Sequence, residues 1–218
     1  MPKRIIILRH GEKQDAYRLC STGVLRSLAL VTKYLGKGAK DSLFASGETP
    51  AFFAITLHTL ELIGPTAATW GLPVRMYAAL PEANDDAHDA ELDTRTNEAA
   101  ADALARVRNN ETTVMVWEHK RIASKDHTVT LRKLLNLYGS GPQVPETWEG
   151  ENYDYFWIVD YDDNDPPKPV SFTSLRQEFD APFRNVPANT WGKAATLPPD
   201  CQGRKDAKGP AGPCCAER

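Results

Sequence analysis

The feature that most constrains the fold is a run of aliphatic residues, Ile5-Ile6-Ile7-Leu8, that ends abruptly in Arg9-His10-Gly11. An uninterrupted apolar run of this length is typical of a strand that is buried on both faces, as in the middle of a parallel sheet. Parallel strands need crossover connections, which are usually helical. The run therefore predicts an α/β chain in which polar residues gather where the first strand ends.

The remainder of the chain alternates between strand-like and helix-like segments, which supports a layered α/β fold. We predict strands at residues 3–9, 42–45, 72–77, 112–117, 153–161 and 170–172, and helices at residues 21–35, 50–70, 94–108 and 124–137. Gly64-Pro65 should break or kink the helix at 50–70, because proline removes a backbone donor. We expect Trp148, Tyr153 and Trp157 to pack the strand at 153–161 against the sheet, with a place at the rim of a binding pocket as the alternative.

Length and composition favour one folded domain followed by a tail. The chain has 218 residues, of which 41% are hydrophobic and 25% charged, and this is enough for a single well-buried core. Residues 1–188 are predicted to form that domain, whereas 189–218 is rich in Pro, Gly and Lys and is expected to be disordered or loosely packed. The net charge of -3 and the absence of a long apolar run favour neither nucleic acid nor a membrane as a partner.

The termini and the cysteines indicate a cytoplasmic protein. The apolar run near the N-terminus is too short for a secretory signal, and no small-residue cleavage site follows it. Cys20 stands alone in the sequence, while Cys201, Cys214 and Cys215 lie in the predicted tail. We expect free thiols and no metal site, because no histidine or cysteine stands at ligand spacing.

The segment Arg9-His10-Gly11 is the strongest candidate for a functional site. In open α/β sheets, ligands bind at the carboxyl ends of the strands. A histidine at this position can attack phosphorus through one ring nitrogen while a neighbouring carbonyl holds the other. Arg9 offers a planar fork of donors for phosphate oxygens, and Gly11 would let the backbone turn away and leave space for a substrate.

A second strand-like run ends in the same way, at Trp117-Glu118-His119. Two histidines that are far apart in sequence but follow two buried strands suit a shared phosphate cradle. His119 would bind a phosphate oxygen and stabilise the charge that develops during transfer.

These motifs resemble the histidine phosphatase superfamily, also called the phosphoglycerate mutase-like superfamily. Leu-Arg-His-Gly-Glu-Lys at residues 8–13 is similar to the opening of a bacterial and fungal branch, and Trp-Glu-His at 117–119 is similar to its second-histidine motif. Leu19, Ser21, Gly23, Arg26 and Ser27 follow the same pattern approximately, and the match runs from residue 3 to about 160. The resemblance implies a three-layer phosphoglycerate mutase-like fold with a mostly parallel central sheet and helices on both faces. It also implies phosphoryl transfer through a phosphohistidine on His10, without cofactor or metal.

The second phosphate-binding arginine of that family has no counterpart here. Counting back from Gly71-Leu72-Pro73-Val74, which matches the end of the family's helix, places His58 where that arginine should stand. A histidine would hold phosphate less tightly than a bidentate arginine. Arg75 or Arg121 are alternatives for the missing charge, and a packing role for His58 is equally compatible with the sequence. We therefore expect weak or altered activity.

A leaving alkoxide needs a proton, so a carboxylic acid should lie near His10. Glu82 in Leu80-Pro81-Glu82 matches the position of the family's acid, with Asp85, Asp86 and Glu118 as alternatives. The resemblance thus implies a phosphomonoester hydrolase acting on a small phosphorylated molecule. The alternative is a catalytically weakened domain that binds a phosphorylated ligand or a protein partner. Neither the substrate nor the oligomeric state follows from the sequence.

Overall fold

The computed structural model describes residues 3–80, 85–138, 143–193, 197 and 199–201. Within these residues, one sheet contains the strands β1 (Arg4–Arg9), β2 (Ala51–Ala54), β3 (Val74–Met76), β4 (Thr112–Trp117), β5 (Tyr155–Tyr161) and β6 (Pro169–Arg176). The α-helices are α1 (Ser21–Leu30), α2 (Leu57–Trp70), α3 (Asp85–Arg108), α4 (His119–Ile122) and α5 (Leu131–Leu134). A π-helical segment, Val31–Leu35, extends α1, and a 3-10 turn covers Pro199–Cys201.

The spatial order of the sheet is β3-β2-β4-β1-β5-β6. The first four strands of this order run parallel, while β5 is antiparallel to β1 and to β6. In the β1–β4 ladder Arg9 lies opposite Trp117, so both strands end at the same edge of the sheet. The predicted α/β fold with a mostly parallel sheet is confirmed.

Helices cover both faces of this sheet, which makes three layers. Ile5 and Ile7 face a core that contains residues of α3, α4 and α5. Ile6 and Leu8 face a second core built with residues of α1 and α2. All four side chains of the aliphatic run are inaccessible to solvent, as expected for a strand buried on both faces.

The segment before α2 differs from the prediction. Residues 42–45 form no strand, and β2 instead lies inside the stretch predicted to be helical at 50–70. The apolar run of β2 and α2 is continuous in sequence, so no periodicity separates them. The break comes at Thr56, whose backbone N–H donates to Thr59 Oγ1 at 2.8 Å and caps α2. Pro65 lies within α2 and does not end it.

Two other predicted helices differ in extent. The described part of α3 starts at Asp85, so residues 85–93 are helical as well. The helix predicted at 124–137 is reduced to the single turn of α5, after the equally short α4.

Among the described residues, no helix combines the length and the apolar character that crossing a bilayer requires.

The start of the predicted tail packs on the domain. The Trp191 ring lies 5.4 Å from that of Trp148 and 6.2 Å from that of Trp157, and Gly192 N donates to Asn152 Oδ1 at 2.6 Å. These aromatic contacts explain why residues 189–193 are not loosely attached. The rest of the tail prediction falls largely on 202–218, outside the described residues.

The expected free thiols at Cys20 and Cys201 are wrong, because the two residues form a disulfide. The 3-10 turn returns to the start of α1, where Ser21 N donates to Asp200 Oδ2 at 2.9 Å. A sequence separation of 181 residues hides this pairing from any spacing rule.

Candidate active site

The two predicted histidines lie together at the carboxyl end of the sheet. His10 follows β1 and His119 follows β4, and these strands are neighbours. His10 N donates to the carbonyl of Trp117 at 3.1 Å, which extends the ladder by one residue beyond β1. The two ring centroids are 6.4 Å apart, close enough to face one small anion.

The His10 ring is held in one orientation by its own neighbour. Its Nδ1 lies 2.6 Å from the carbonyl oxygen of Gly11, and since a carbonyl only accepts, Nδ1 carries the proton. Nε2 is then left with a lone pair, towards which Arg9 Nε donates at 3.3 Å. Burial, reinforced by Lys13 and Arg9, lowers the pKa of His10 well below its ordinary value. The ring is therefore a neutral imidazole whose Nε2 is available as a nucleophile.

Gly11 serves packing more directly than it makes room for a substrate. A Cβ at this position would lie 3.1 Å from Leu62 Cδ1 and 3.2 Å from the Cα of Gly23. The close approach of α1 and α2 to the turn therefore needs a glycine. Its carbonyl, which fixes the His10 ring, is its direct contribution to the site.

Arg9 is fixed by residues that follow the last helix in sequence. Its Nη1 donates to the carbonyl of Gly150, and its guanidinium lies 3.9 Å from the ring centroid of Tyr153. Tyr153 is also 5.6 Å from the His10 ring, so this tyrosine lines the site and does not simply pack β5. The sequence favours packing for Tyr153 and leaves a place at the rim of a pocket as the alternative, because nothing near it distinguishes it from the neighbouring aromatic residues.

His58 enters the site from the first turn of α2. Its ring lies 4.8 Å from the His10 ring, so the structure brings the residue that stands at the predicted arginine position next to His10. Its Nδ1 lies 3.1 Å from the carbonyl oxygen of Ala16 and its Nε2 lies 2.5 Å from Glu118 Oε1. Both ring nitrogens of His58 thus face oxygen atoms that can accept a hydrogen bond.

The alternative cations are bound elsewhere. Arg75 pairs with Asp102 on α3. Arg121 Nε lies 2.6 Å from Asp93, and its Nη2 lies 3.1 Å from Asp89. Both guanidinium groups are thus engaged by acidic residues of α3.

Glu118 lies between the cationic groups of the site. Its Oε1 accepts from the Thr56 hydroxyl at 3.1 Å as well as from His58, and its Oε2 lies 3.4 Å from His10 Nε2 and 3.9 Å from Lys13 Nζ. Burial alone would raise the pKa of the Glu118 carboxyl, but Lys13 and His58 hold it well below its usual value. Glu118 is therefore a carboxylate. The sequence prediction missed Thr56 and named Lys13 only as part of a motif.

His119, the first residue of α4, is less constrained than His10. Its Nδ1 is buried and has no hydrogen-bond partner among the described residues. Burial and the nearby Arg9 lower the pKa of His119 to about 3, so the ring is neutral at physiological pH. It can offer an N–H to an anion but brings no positive charge of its own.

The other predicted acids are Glu82, Asp85 and Asp86. Glu82 lies outside the described residues. Asp85 and Asp86 are exposed in the first turn of α3.

A buried ion pair anchors the turn that follows His10. Glu12 accepts from Arg26 Nη2 at 2.6 Å and from Arg26 Nε at 3.0 Å. The same guanidinium donates to Gln177 Oε1 at 3.0 Å and to the Pro187 carbonyl at 2.8 Å. Four of the five N–H donors of Arg26 thus tie the turn to α1 and to the segment after β6.

The cluster suits an anion better than a metal ion. His10, Glu118 and His119 each offer one ligand atom, and these atoms lie within 4.8 Å of one another, so this set has the composition of a metal site. Arg9 and Lys13, however, place positive charge in the same space. Opposite charges attract and like charges repel most strongly where water is scarce, so the site favours an anion.

No family model matches the chain. No curated protein matches it either. Among solved structures, the chain is similar to native mycobacterial glucosyl-3-phosphoglycerate phosphatase, with 12% identity, a TM-score of 0.46, and coverage of 81% of this chain and 99% of that one. It is also similar to the complex of that phosphatase with inorganic phosphate, with 14% identity, a TM-score of 0.45, and coverage of 88% and 97%. At this level of identity, the chemistry of the site has to be derived from the residues of this chain.

Proposed function

We propose that the protein is a phosphomonoester hydrolase that acts through a phosphohistidine on His10. The observation that carries this proposal is the orientation of the His10 ring, whose Nδ1 lies 2.6 Å from the Gly11 carbonyl oxygen and whose Nε2 accepts from Arg9 Nε at 3.3 Å. A neutral, oriented imidazole among cations is what a nucleophile for a phosphate ester requires.

In the first step, Arg9, His58 and His119 bind the phosphoryl oxygens of a small phosphorylated substrate. His10 Nε2 attacks phosphorus, so that a P–N bond forms as the ester P–O bond breaks. The leaving alkoxide takes a proton from a carboxylic acid. Lys13 adds positive charge to the cradle, and Tyr153 positions Arg9.

In the second step, water attacks the phosphohistidine. The P–N bond breaks, inorganic phosphate leaves, and the carboxylate that gave up its proton takes one from the water. Glu82 is the proposed acid and base. Glu118 is a poor candidate in the resting site, because its contacts with His58 and Lys13 keep its pKa low and the group ionised.

The choice of acid is tested by the leaving group. An aryl phosphate leaves without help, whereas an alkyl phosphate needs a proton. We expect Glu82→Gln to slow alkyl phosphate hydrolysis far more than aryl phosphate hydrolysis. Asp85→Asn and Asp86→Asn serve as matched controls, and an equal loss on both substrates would reject Glu82 as the donor.

The hydrolase itself is tested by trapping. After incubation with a radiolabelled phosphomonoester and an alkaline quench, label should remain on the wild-type chain and be absent from His10→Ala. His88→Ala, a histidine on α3, is the matched control and should keep its label. Unchanged hydrolysis in the His10→Ala variant would reject the proposal.

The second candidate is a weakened domain that binds a phosphorylated ligand or partner. It is favoured by the absence of the family's second arginine and by His10, whose exposed fraction is 0%. Phosphate binding without turnover and without label on His10 would support this candidate.

A further inference from the structure

We infer that the Glu118 carboxylate is an internal anion that occupies the phosphate cradle of the resting site, formed by Arg9, Lys13, His58 and His119. The Glu118 side chain must rotate away before a phosphoryl group can reach His10. This inference rests on the proposed function, because it takes the cradle to be one that binds phosphoryl groups. It adds that Glu118 competes with phosphate for the site, and that this competition affects which substrates bind.

The first support is that Glu118 contacts the groups that a phosphate would use. One carboxylate oxygen lies 2.5 Å from His58 Nε2 and accepts from the Thr56 hydroxyl at 3.1 Å. The other lies 3.4 Å from His10 Nε2 and 3.9 Å from Lys13 Nζ. Three donor groups from two separate parts of the chain, Thr56 and His58 in one and Lys13 in the other, thus converge on one carboxylate, as they would on an oxyanion.

The second support is the burial of the nucleophile. His10 is 0% exposed, whereas the side chain of Glu118 retains 14% of its accessible surface. A reacting phosphorus has to come within roughly 3–3.5 Å of the nucleophile before the bond forms. A Glu118 oxygen already lies 3.4 Å from Nε2, so access to His10 requires this side chain to move.

The side chain can move without its backbone. The Glu118 carbonyl accepts from the N–H groups of Arg121 and Ile122 at 2.8 Å and 2.9 Å, and these bonds hold its main chain at the start of α4. Rotation of the side chain breaks only the contacts that an incoming phosphate would replace.

The exchange also favours one class of substrate. A phosphomonoester dianion brings two negative charges to a cradle that Glu118 occupies with one. A phosphodiester brings a single charge and gains no Coulomb advantage over the carboxylate it displaces. We therefore expect the site to select dianionic monoesters over diesters.

The test is the binding of inorganic phosphate to the full chain, measured by calorimetry for wild type, Glu118→Gln and Glu118→Ala. Removing the competing carboxylate should tighten phosphate binding by about tenfold in both variants. Glu151→Gln is the matched control, because Glu151 is an exposed acid that acts on Arg9 from outside the cluster. It should change the affinity by no more than roughly twofold.

Acetate separates competition from a structural role. Acetate should weaken phosphate binding to the Glu118→Ala variant, because it refills the vacated position, and leave wild type unaffected. Thermal unfolding confirms that both variants are folded. Phosphate binding that is unchanged or weaker in folded Glu118→Gln would overturn the inference.

These outcomes are independent of turnover. If His10→Ala leaves hydrolysis unchanged while Glu118→Gln binds phosphate more tightly, the proposed hydrolase fails and the internal anion stands. If label appears on His10 but neither variant binds phosphate more tightly, the hydrolase stands and the internal anion fails.

Discussion

His10 and His119 follow neighbouring parallel strands and are preceded by the same kind of buried apolar run, yet the structure holds the two rings differently. The His10 ring has a partner at each nitrogen, the Gly11 carbonyl at Nδ1 and Arg9 at Nε2. His119 Nδ1 has none among the described residues. The contrast shows that the end of a strand places a histidine in the site. Whether the ring is oriented as a nucleophile depends on a nearby carbonyl, which His10 has in Gly11.

The largest expected effect is at His10. We expect His10→Ala to lower aryl phosphate hydrolysis by at least about 10⁴-fold, because the step that forms the covalent intermediate is lost. Added imidazole should restore part of the activity by occupying the vacated space. The same addition to His119→Ala should restore little, and an equal rescue of both variants would erase the distinction between the two rings.

His119→Ala should cost about 10²–10³-fold in kcat/KM, the usual range for one lost donor to a transition-state oxygen. Label should still accumulate on His10 in this variant. His119→Asn keeps an N–H donor and is expected to lose less. A complete absence of label from His119→Ala would mean that the roles of the two histidines are exchanged.

The neutral state of His119 predicts a pH effect on stability. Its pKa is about 3 in the folded chain against an ordinary value of 6.5, so the unfolded chain binds a proton that the folded chain does not. The stability is therefore fully present above pH 6.5 and declines as the pH falls towards 3. At pH 5 the loss due to this residue is about 2 kcal/mol.

Urea unfolding at pH 7 and pH 5 measures this term. The free energy of unfolding of His119→Asn should fall less between the two pH values than that of wild type, by about 2 kcal/mol. His88→Asn, on α3, is the matched control. Parallel losses in wild type and His119→Asn would show that His119 is protonated in the folded chain.

The smallest expected effect is at His58. His58→Arg introduces the arginine that the motif resemblance implies at this position, and a bidentate fork should tighten phosphate binding or raise turnover by about fivefold to tenfold. Steady-state kinetics across acidic and neutral pH measures both quantities. No change at any pH would reject the equivalence of His58 with that arginine.

The parts that could be predicted from sequence are those with a local cause. The aliphatic runs before Arg9 and Glu118 determine two central strands, and parallel pairing then brings their polar ends together. Strand β2 could not be separated from α2, because Ala-Phe-Phe-Ala continues into an apolar helix without a change of period. The disulfide between Cys20 and Cys201 could not be predicted, because 181 residues separate its two cysteines.

The position of Glu118 illustrates this limit for the site. Its sequence context marks it only as an acid beside a histidine, and its role depends on His58 and Lys13, which arrive from other elements. The role of Tyr153 also depends on a residue that is distant in sequence, because its ring contacts the guanidinium of Arg9. Such groups are found only when the fold is known, because no short-range pattern records which side chains converge.

The Glu12–Arg26 pair has a consequence for how the chain can be altered. Arg26 also donates to Gln177 Oε1 and to the Pro187 carbonyl. These bonds connect the turn beside His10 to residues that are far away in sequence. Deleting the chain from residue 177 onwards would remove two hydrogen-bond acceptors from the buried Arg26 guanidinium. We expect this loss to weaken the ion pair between Arg26 and Glu12. The orientation of the His10 ring therefore depends on residues near both ends of the described sequence. A C-terminal truncation is expected to loosen this orientation although it removes none of the described residues that contact the ring.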